Sequence, residues 1–179
     1  IKAVLAVHVD TSSSVRNDIT ELRAVMDELK HPALLMADCV ASLGCERFEM
    51  DAWGVDVMVS ASQKGLMVPA GMGFVFFNEK AAAVRNAMQR VSCYWDWQPR
   101  ASPQEYYQYF NGTAPTHHLY GLRAALDLIH SEGVENVWAR HQRLAQAIWA
   151  ACEVWGQDGG PLRLNVTDPA LRSYAVTSV

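Results

Sequence analysis

An α/β fold with a mostly parallel sheet is predicted by three features of the 179-residue sequence. Short apolar runs of strand length alternate with longer stretches of helical period. The first run, Ala3 to Val9, is nearly continuously apolar, as in a parallel strand covered on both faces. Polar clusters follow three of the runs, and in open α/β sheets ligands collect beyond the carboxyl ends of the strands.

The elements follow in order. After the first strand comes the polar turn "DTSSSVRND", then "ITELRAVMDELK", where Ile19, Leu22, Val25, Met26 and Leu29 recur at helical spacing. Pro32 punctuates, and "ALLMADCV" reads as a second strand. A connection through Gly44 and "MDAWGVD" leads to a third strand at 55–60. The turn carrying Lys64 leads to a fourth at 73–77, and "EKAAAVRNAMQRV" is helical again. Residues 92–115 read as irregular, with aromatics and prolines. "THHLYGLRAALDLIHSEG" places Leu119, Leu122, Leu126 and Ile129 on one stripe, and a second helix follows Gly133. The closing "LRSYAVTSV" reads as a strand being entered. The chain begins inside a strand and ends at the start of one, so a fragment of a larger folded unit is expected.

Half of the residues are apolar and 19% are charged, a globular composition. A net charge of −4 with no basic stripe gives no reason to expect nucleic acid. No apolar stretch has the length of a membrane span, and no signal peptide is expected. Cys39, Cys45, Cys93 and Cys152 form no CxxC pair. Buried free thiols in a reducing, cytoplasmic setting are therefore expected rather than a disulfide frame or a metal site.

The three strand-end clusters are Asp10 to Ser14, Asp38, and Ser60 to Lys64. Taken singly, each has a plain structural reading. The serines and Asp38 would cap helices or turns, and Lys64 would extend from a strand end into solvent. Taken together, one edge of the sheet gathers hydroxyls, a carboxylate and an amine, which suits a shared ligand. A lysine in a low-polarity pocket loses proton affinity and forms an imine with an aldehyde. A carboxylate can hold a pyridinium nitrogen, and strand-end hydroxyls and amides can hold a phosphate. The ligand these groups suggest is pyridoxal 5'-phosphate.

The run Asp38-Cys39-Val40-Ala41-Ser42-Leu43-Gly44, followed by Ser60-Ala61-Ser62-Gln63-Lys64-Gly65-Leu66 and Pro69-Ala70-Gly71, resembles the class V aminotransferases. It is most similar to their serine–glyoxylate and alanine–glyoxylate branch, and the resemblance continues through "GTAPTHHLYGLRAALDLIHSEGVENVWARH". It implies the large domain of a fold-type I transferase over residues 1–132. Residues 133–179 would be a connecting helix and the beginning of a smaller α+β domain. It also implies a homodimer with shared active sites, acting on a small amino acid and a 2-oxo acid, with neither nucleic acid nor membrane as partner.

By position, Lys64 would be the Schiff-base lysine of the internal aldimine and Asp38 the partner of the pyridine nitrogen. Val40 would pack on the ring, Ser12 would approach the ring oxygen, and Gln63 would bind phosphate. Thr113 would reach the phosphate in the neighbouring subunit. Two positions depart from the family pattern: Phe110 stands where a tyrosine is common, with Tyr109 beside it, and Ser14 stands where glycine is usual. The small-residue phosphate loop, the ring-stacking aromatic and the substrate-binding arginine would lie outside this chain.

Rival readings are another class V enzyme, such as a cysteine desulfurase, and a cofactorless α/β interaction domain. Gln63, where desulfurases place a histidine, argues against the first, and the joint presence of Lys64 and Asp38 argues against the second. His117 and His118 are adjacent and lack a ligand partner at metal spacing. "YWDWQP" suits an entrance, a subunit contact or an ordinary packed loop. Trp138, Trp149 and Trp155 are read as core or interface, and nothing beside Cys39 would activate it as a nucleophile.

Overall fold

A computed structural model describes residues 1–179. Four strands, β1 (Ala3–Val7), β2 (Leu34–Asp38), β3 (Val57–Ala61) and β4 (Gly73–Phe77), form one sheet in that order. β1, β2 and β3 run parallel, and β4 pairs antiparallel with β3. The helices are α1 (Ile19–Glu28), α2 (Glu79–Asn86), the single turn α3 (Gln98–Ala101), α4 (Thr116–Glu132) and α5 (Val134–Trp155).

Each face of the sheet has its own cover. Ile19 and Met26 of α1 pack with Leu35, Ala37, Cys39 and Met58, while Ala81 of α2 packs with Leu34 and Val57 on the opposite side. Asp18 caps α1 by accepting the Glu21 amide at 2.9 Å, and Asn78 caps α2 through Ala81 at 3.0 Å. Buried Asp56 binds the Leu35 amide, the Asn78 amide group and Lys80, fixing α2 to the start of β2 and β3. Gly133, at φ +85°, separates α4 from α5.

Four expectations are corrected. β1 is not covered on both faces: it is the edge of this sheet, and Leu5 is 79% exposed. The α1 stripe is narrower than its spacing suggests, since Val25 and Leu29 lie exposed beyond the reach of the sheet. Cys39, Cys45 and Cys152 are buried free thiols, but Cys93 is exposed in the irregular segment before α3. The closing residues enter no strand.

The last correction has a clear cause. The backbone N–H groups that a strand would give to a ladder are taken elsewhere: those of Tyr174 and Ala175 by the Glu46 side chain, that of Val176 by the Ser173 hydroxyl and that of Ser173 by the Ser14 carbonyl. Glu46, whose side chain is 2% exposed, accepts the Tyr174 amide at 2.8 Å, the Ala175 amide at 3.2 Å and the Ser173 hydroxyl through Oε1. Arg16 stands 3.7 Å from its other oxygen and lies over the Tyr174 ring. Trp149 of α5 packs in the same region with Leu164 and Tyr174.

Glu46→Ala would strand those donors in a buried site. Its expected cost is about 3 kcal/mol or more, because bonds to a charged group are strong and their loss leaves desolvated donors. Urea unfolding should show a lower midpoint at an unchanged slope, with faster hydrogen exchange at Tyr174 and Ala175. A midpoint equal to that of the parent protein would refute the assignment.

Candidate functional site

Parallel pairing places the ends of three strands at one edge. Asp38, the last residue of β2, is in register with Val7 of β1 and Val59 of β3. The polar turn after β1, the Asp38 turn and the Lys64 loop therefore leave the sheet together.

The first turn is closed by Asp10. Its Oδ1 accepts the Ser13 amide at 2.6 Å and the Ser13 hydroxyl at 2.8 Å, bonds that hold its carboxyl below the usual range. Ser12 stands exposed at the tip, and its hydroxyl makes no hydrogen bond within the chain. Asp38 is half-buried. Its Oδ1 accepts the Val40 amide at 2.9 Å, which leaves Oδ2 open, and Val40 beside it is half-buried.

Behind Asp38, His8 grips both ends of the turn. Its backbone amide donates to the Asp38 carbonyl at 2.9 Å, and its Nδ1 lies 2.9 Å from the Ser42 hydroxyl. The ring packs between Phe48 and Trp53. Burial, with the Arg16 charge adding to it, lowers His8 to about 4 against a weaker opposing effect of Asp18. Burial likewise pushes the Cys39 thiol up to about 12, so it is no nucleophile.

Lys64 and Gln63 are both exposed. The expectation of an amine in a crowded, low-polarity pocket is corrected: the buried members of this loop are Ser62 and Val68, and Lys64 lies in the turn between them. Ser62 closes the loop. Its amide donates to Met72 and its carbonyl accepts from Val68, while its hydroxyl donates to the Pro69 carbonyl at 2.8 Å and accepts the Met72 amide at 3.3 Å. Lys64 enters none of the ion pairs of the fold.

Two glycines set the Lys64 loop against the Asp38 turn. A Cβ on Gly65 would overlap the Leu43 carbonyl and come within 2.9 Å of Cys45 Sγ, and one on Gly44 would stand 3.0 Å from the Gly65 carbonyl. Only residues without side chains allow backbones this close. From the other side, Val68 and Met72 pack on Ala125, Leu119 and Leu122 of α4, and His118 Nε2 lies 3.1 Å from the Ala70 carbonyl.

Thr113 is exposed just before α4, whose N-cap position is Pro115 with no side-chain cap, so Thr113 does not cap that helix. Tyr109 is exposed and Phe110 half-buried in the preceding turn. A cavity of about 620 Å³ opens between His8, Arg16, Glu46 and α5, but neither Asp38 nor Lys64 lines it. Sequence reasoning missed His8 and Glu46, whose partners lie across loops and leave no local pattern, and it placed Ser62 in a strand-end cluster without its loop-closing role. No helix is long and apolar enough to cross a membrane.

The Aminotransferase class-V family matches residues 1–156. The serine–glyoxylate aminotransferase of Arabidopsis thaliana is 44% identical over 87% of this chain and 39% of its own length. The L-aspartate–glyoxylate aminotransferase of Paracoccus denitrificans is 39% identical over 100% of this chain and 44% of its own. Among solved structures, alanine–glyoxylate aminotransferase from Nostoc superposes with a TM-score of 0.84 at 30% identity, covering 97% of this chain and 44% of that one. The chain thus spans less than half the length of these relatives.

His8 makes stability pH-dependent with a definite sign. Its folded pKa is depressed below the 6.5 of the free side chain, so its contribution is complete above pH 6.5. It is lost as pH falls from 6.5 to about 4, where only the unfolded state takes the proton. The loss is on the order of 3 kcal/mol. Urea unfolding at pH 5 and pH 7 should show a smaller difference in His8→Asn than in the parent. Equal differences would refute it.

Proposed function

Because the chain belongs to the class-V aminotransferases, we propose that it supplies the lysine-bearing part of a pyridoxal-phosphate-dependent aminotransferase. That enzyme moves an amino group from a small amino acid, serine or alanine, to glyoxylate or a similar 2-oxo acid. The observation that carries this reading is the shared strand edge. Lys64, an amine outside every ion pair, and Asp38, a carboxylate with one open oxygen, leave adjacent parallel strands there. Glyoxylate is common to the names of the relatives, whereas the amino donor differs among serine, aspartate and alanine.

The residues present fit the cofactor. Lys64 Nζ would hold it covalently, Asp38 Oδ2 would keep its ring nitrogen protonated, and Val40 would rest on the ring. The hydroxyl of Ser12 and the amide of Gln63, both exposed and without partners in the chain, would take the ring oxygen and the phosphate. When bound, pyridoxal phosphate supplies the electron sink for charge released at the substrate's Cα. With the cofactor held, Lys64 Nζ would be the base that takes the proton from the substrate's Cα and returns it. Thr113 would serve the phosphate of a second subunit, so the active unit is a homodimer. The division into residues 1–132 and 133–179 belongs to the same proposal and is supported by the helix break at Gly133.

Borohydride reduction of the whole protein with pyridoxal phosphate, followed by peptide mapping, should place the label on Lys64. Labelling of a different lysine, or of none, would remove the basis of the reading. Lys64→Ala should lose transamination while keeping its fold.

Asp38→Asn should retain the cofactor yet lower turnover about a hundredfold or more, since a few kcal/mol of ion-pair stabilisation is lost where charge develops. The check is turnover measured at saturating cofactor. Near-parental rates would exclude this role for Asp38.

A further inference from the structure

Ser14 holds a left-handed backbone at φ +60° and is 5% exposed. Glycine adopts that conformation freely, whereas a serine does so at a cost that something else must offset. Here the support comes from the far end of the chain. Ser14 Oγ lies 2.7 Å from Ser178 Oγ and accepts the Ser178 amide at 3.3 Å. The Ser13 carbonyl, 2.6 Å from Ser14 Oγ, accepts bonds from Ser178 Oγ and Asn165 Nδ2, each at 2.9 Å, which leaves the Ser14 hydroxyl to donate to Ser178 Oγ. The Ser14 carbonyl accepts the Ser173 amide at 3.2 Å.

These bonds converge on the peptide between Ser13 and Ser14, one residue beyond Ser12. On the other side, Asp10 holds the Ser13 amide and hydroxyl, and its own backbone closes the turn through Ser14 and Val15. The loop that presents Ser12 is therefore fixed by a strand-end carboxylate and by residues 165–178. The first of these supports is local. The second joins segments more than 150 residues apart.

Resting on the cofactor reading above, we propose that Ser14 and Ser178 are positioning residues. Their hydroxyl pair lets the segment 165–178 hold the left-handed turn that presents Ser12 to the cofactor's ring oxygen. Neither side chain touches the reacting atoms. A serine at position 14 makes the turn dependent on that segment, where a glycine would hold the same backbone unaided.

The test uses the whole protein in four forms: parent, Ser178→Ala, Ser14→Gly, and the double variant. Two readouts are taken. One is amide hydrogen exchange at residues 13–15 without cofactor, and the other is the dissociation constant for pyridoxal phosphate followed by its absorption band. Loss of the Ser178 hydroxyl should speed exchange in the turn and weaken cofactor binding roughly fivefold to tenfold, the scale of one buried hydrogen bond. Ser14→Gly alone should bind within about twofold of the parent, and the double variant should return to that level. Unchanged exchange and binding in Ser178→Ala would overturn the proposal. So would a defect that Ser14→Gly fails to restore, since Ser178 would then act only within its own segment. Absence of binding in the parent would overturn the cofactor reading instead, and the exchange rates would still decide whether Ser178 holds the turn.

Discussion

The register of β2 between its parallel neighbours is the constraint on which the candidate site rests. Asp38 pairs with Val7 on one side and Val59 on the other, so three polar turns emerge at a common height. A slip of one residue would reverse every side chain of β2, turning the buried row of Leu35, Ala37 and Cys39 away from α1. Burial of that row thus fixes where Asp38 stands. A hydrophobic term holds a carboxylate that takes no part in the core.

Beyond the strand ends, loop against loop contact takes over. Gly44 and Gly65 let the Asp38 turn and the Lys64 loop meet backbone to backbone, and Ser62 closes the second loop from within. Glu46 extends the assembly by binding the amides of Tyr174 and Ala175. The need to satisfy buried backbone donors drives this arrangement as much as apolar packing does. Because one carboxylate takes donors from three successive residues, the closing segment stays irregular and still has a definite place.

The ionisable groups behind the edge are kept uncharged. Burial lowers His8 and raises Cys39, so at neutral pH neither places a charge beside Asp38. The neutral His8 ring then pairs with the Ser42 hydroxyl, while the His8 backbone amide donates to the Asp38 carbonyl. The two functional groups left facing outward at the edge, Asp38 and Lys64, are those whose spacing in the sequence carried the family resemblance.

The sequence by itself determined the alternation of elements, the span of β4 and the two long helices separated at Gly133, and it singled out candidates at the strand edge. All of these follow from periodicity, turn chemistry or motif spacing, which act over a few residues. Only the tertiary structure decided that Leu5 lies on an open edge, that Lys64 is exposed, and that the final residues bind Glu46 rather than enter a strand. It alone brought the Ser14 hydroxyl within 2.7 Å of Ser178. Contacts between residues 46 and 174, or 14 and 178, depend on how loops are brought together, and no local pattern in the chain encodes that meeting.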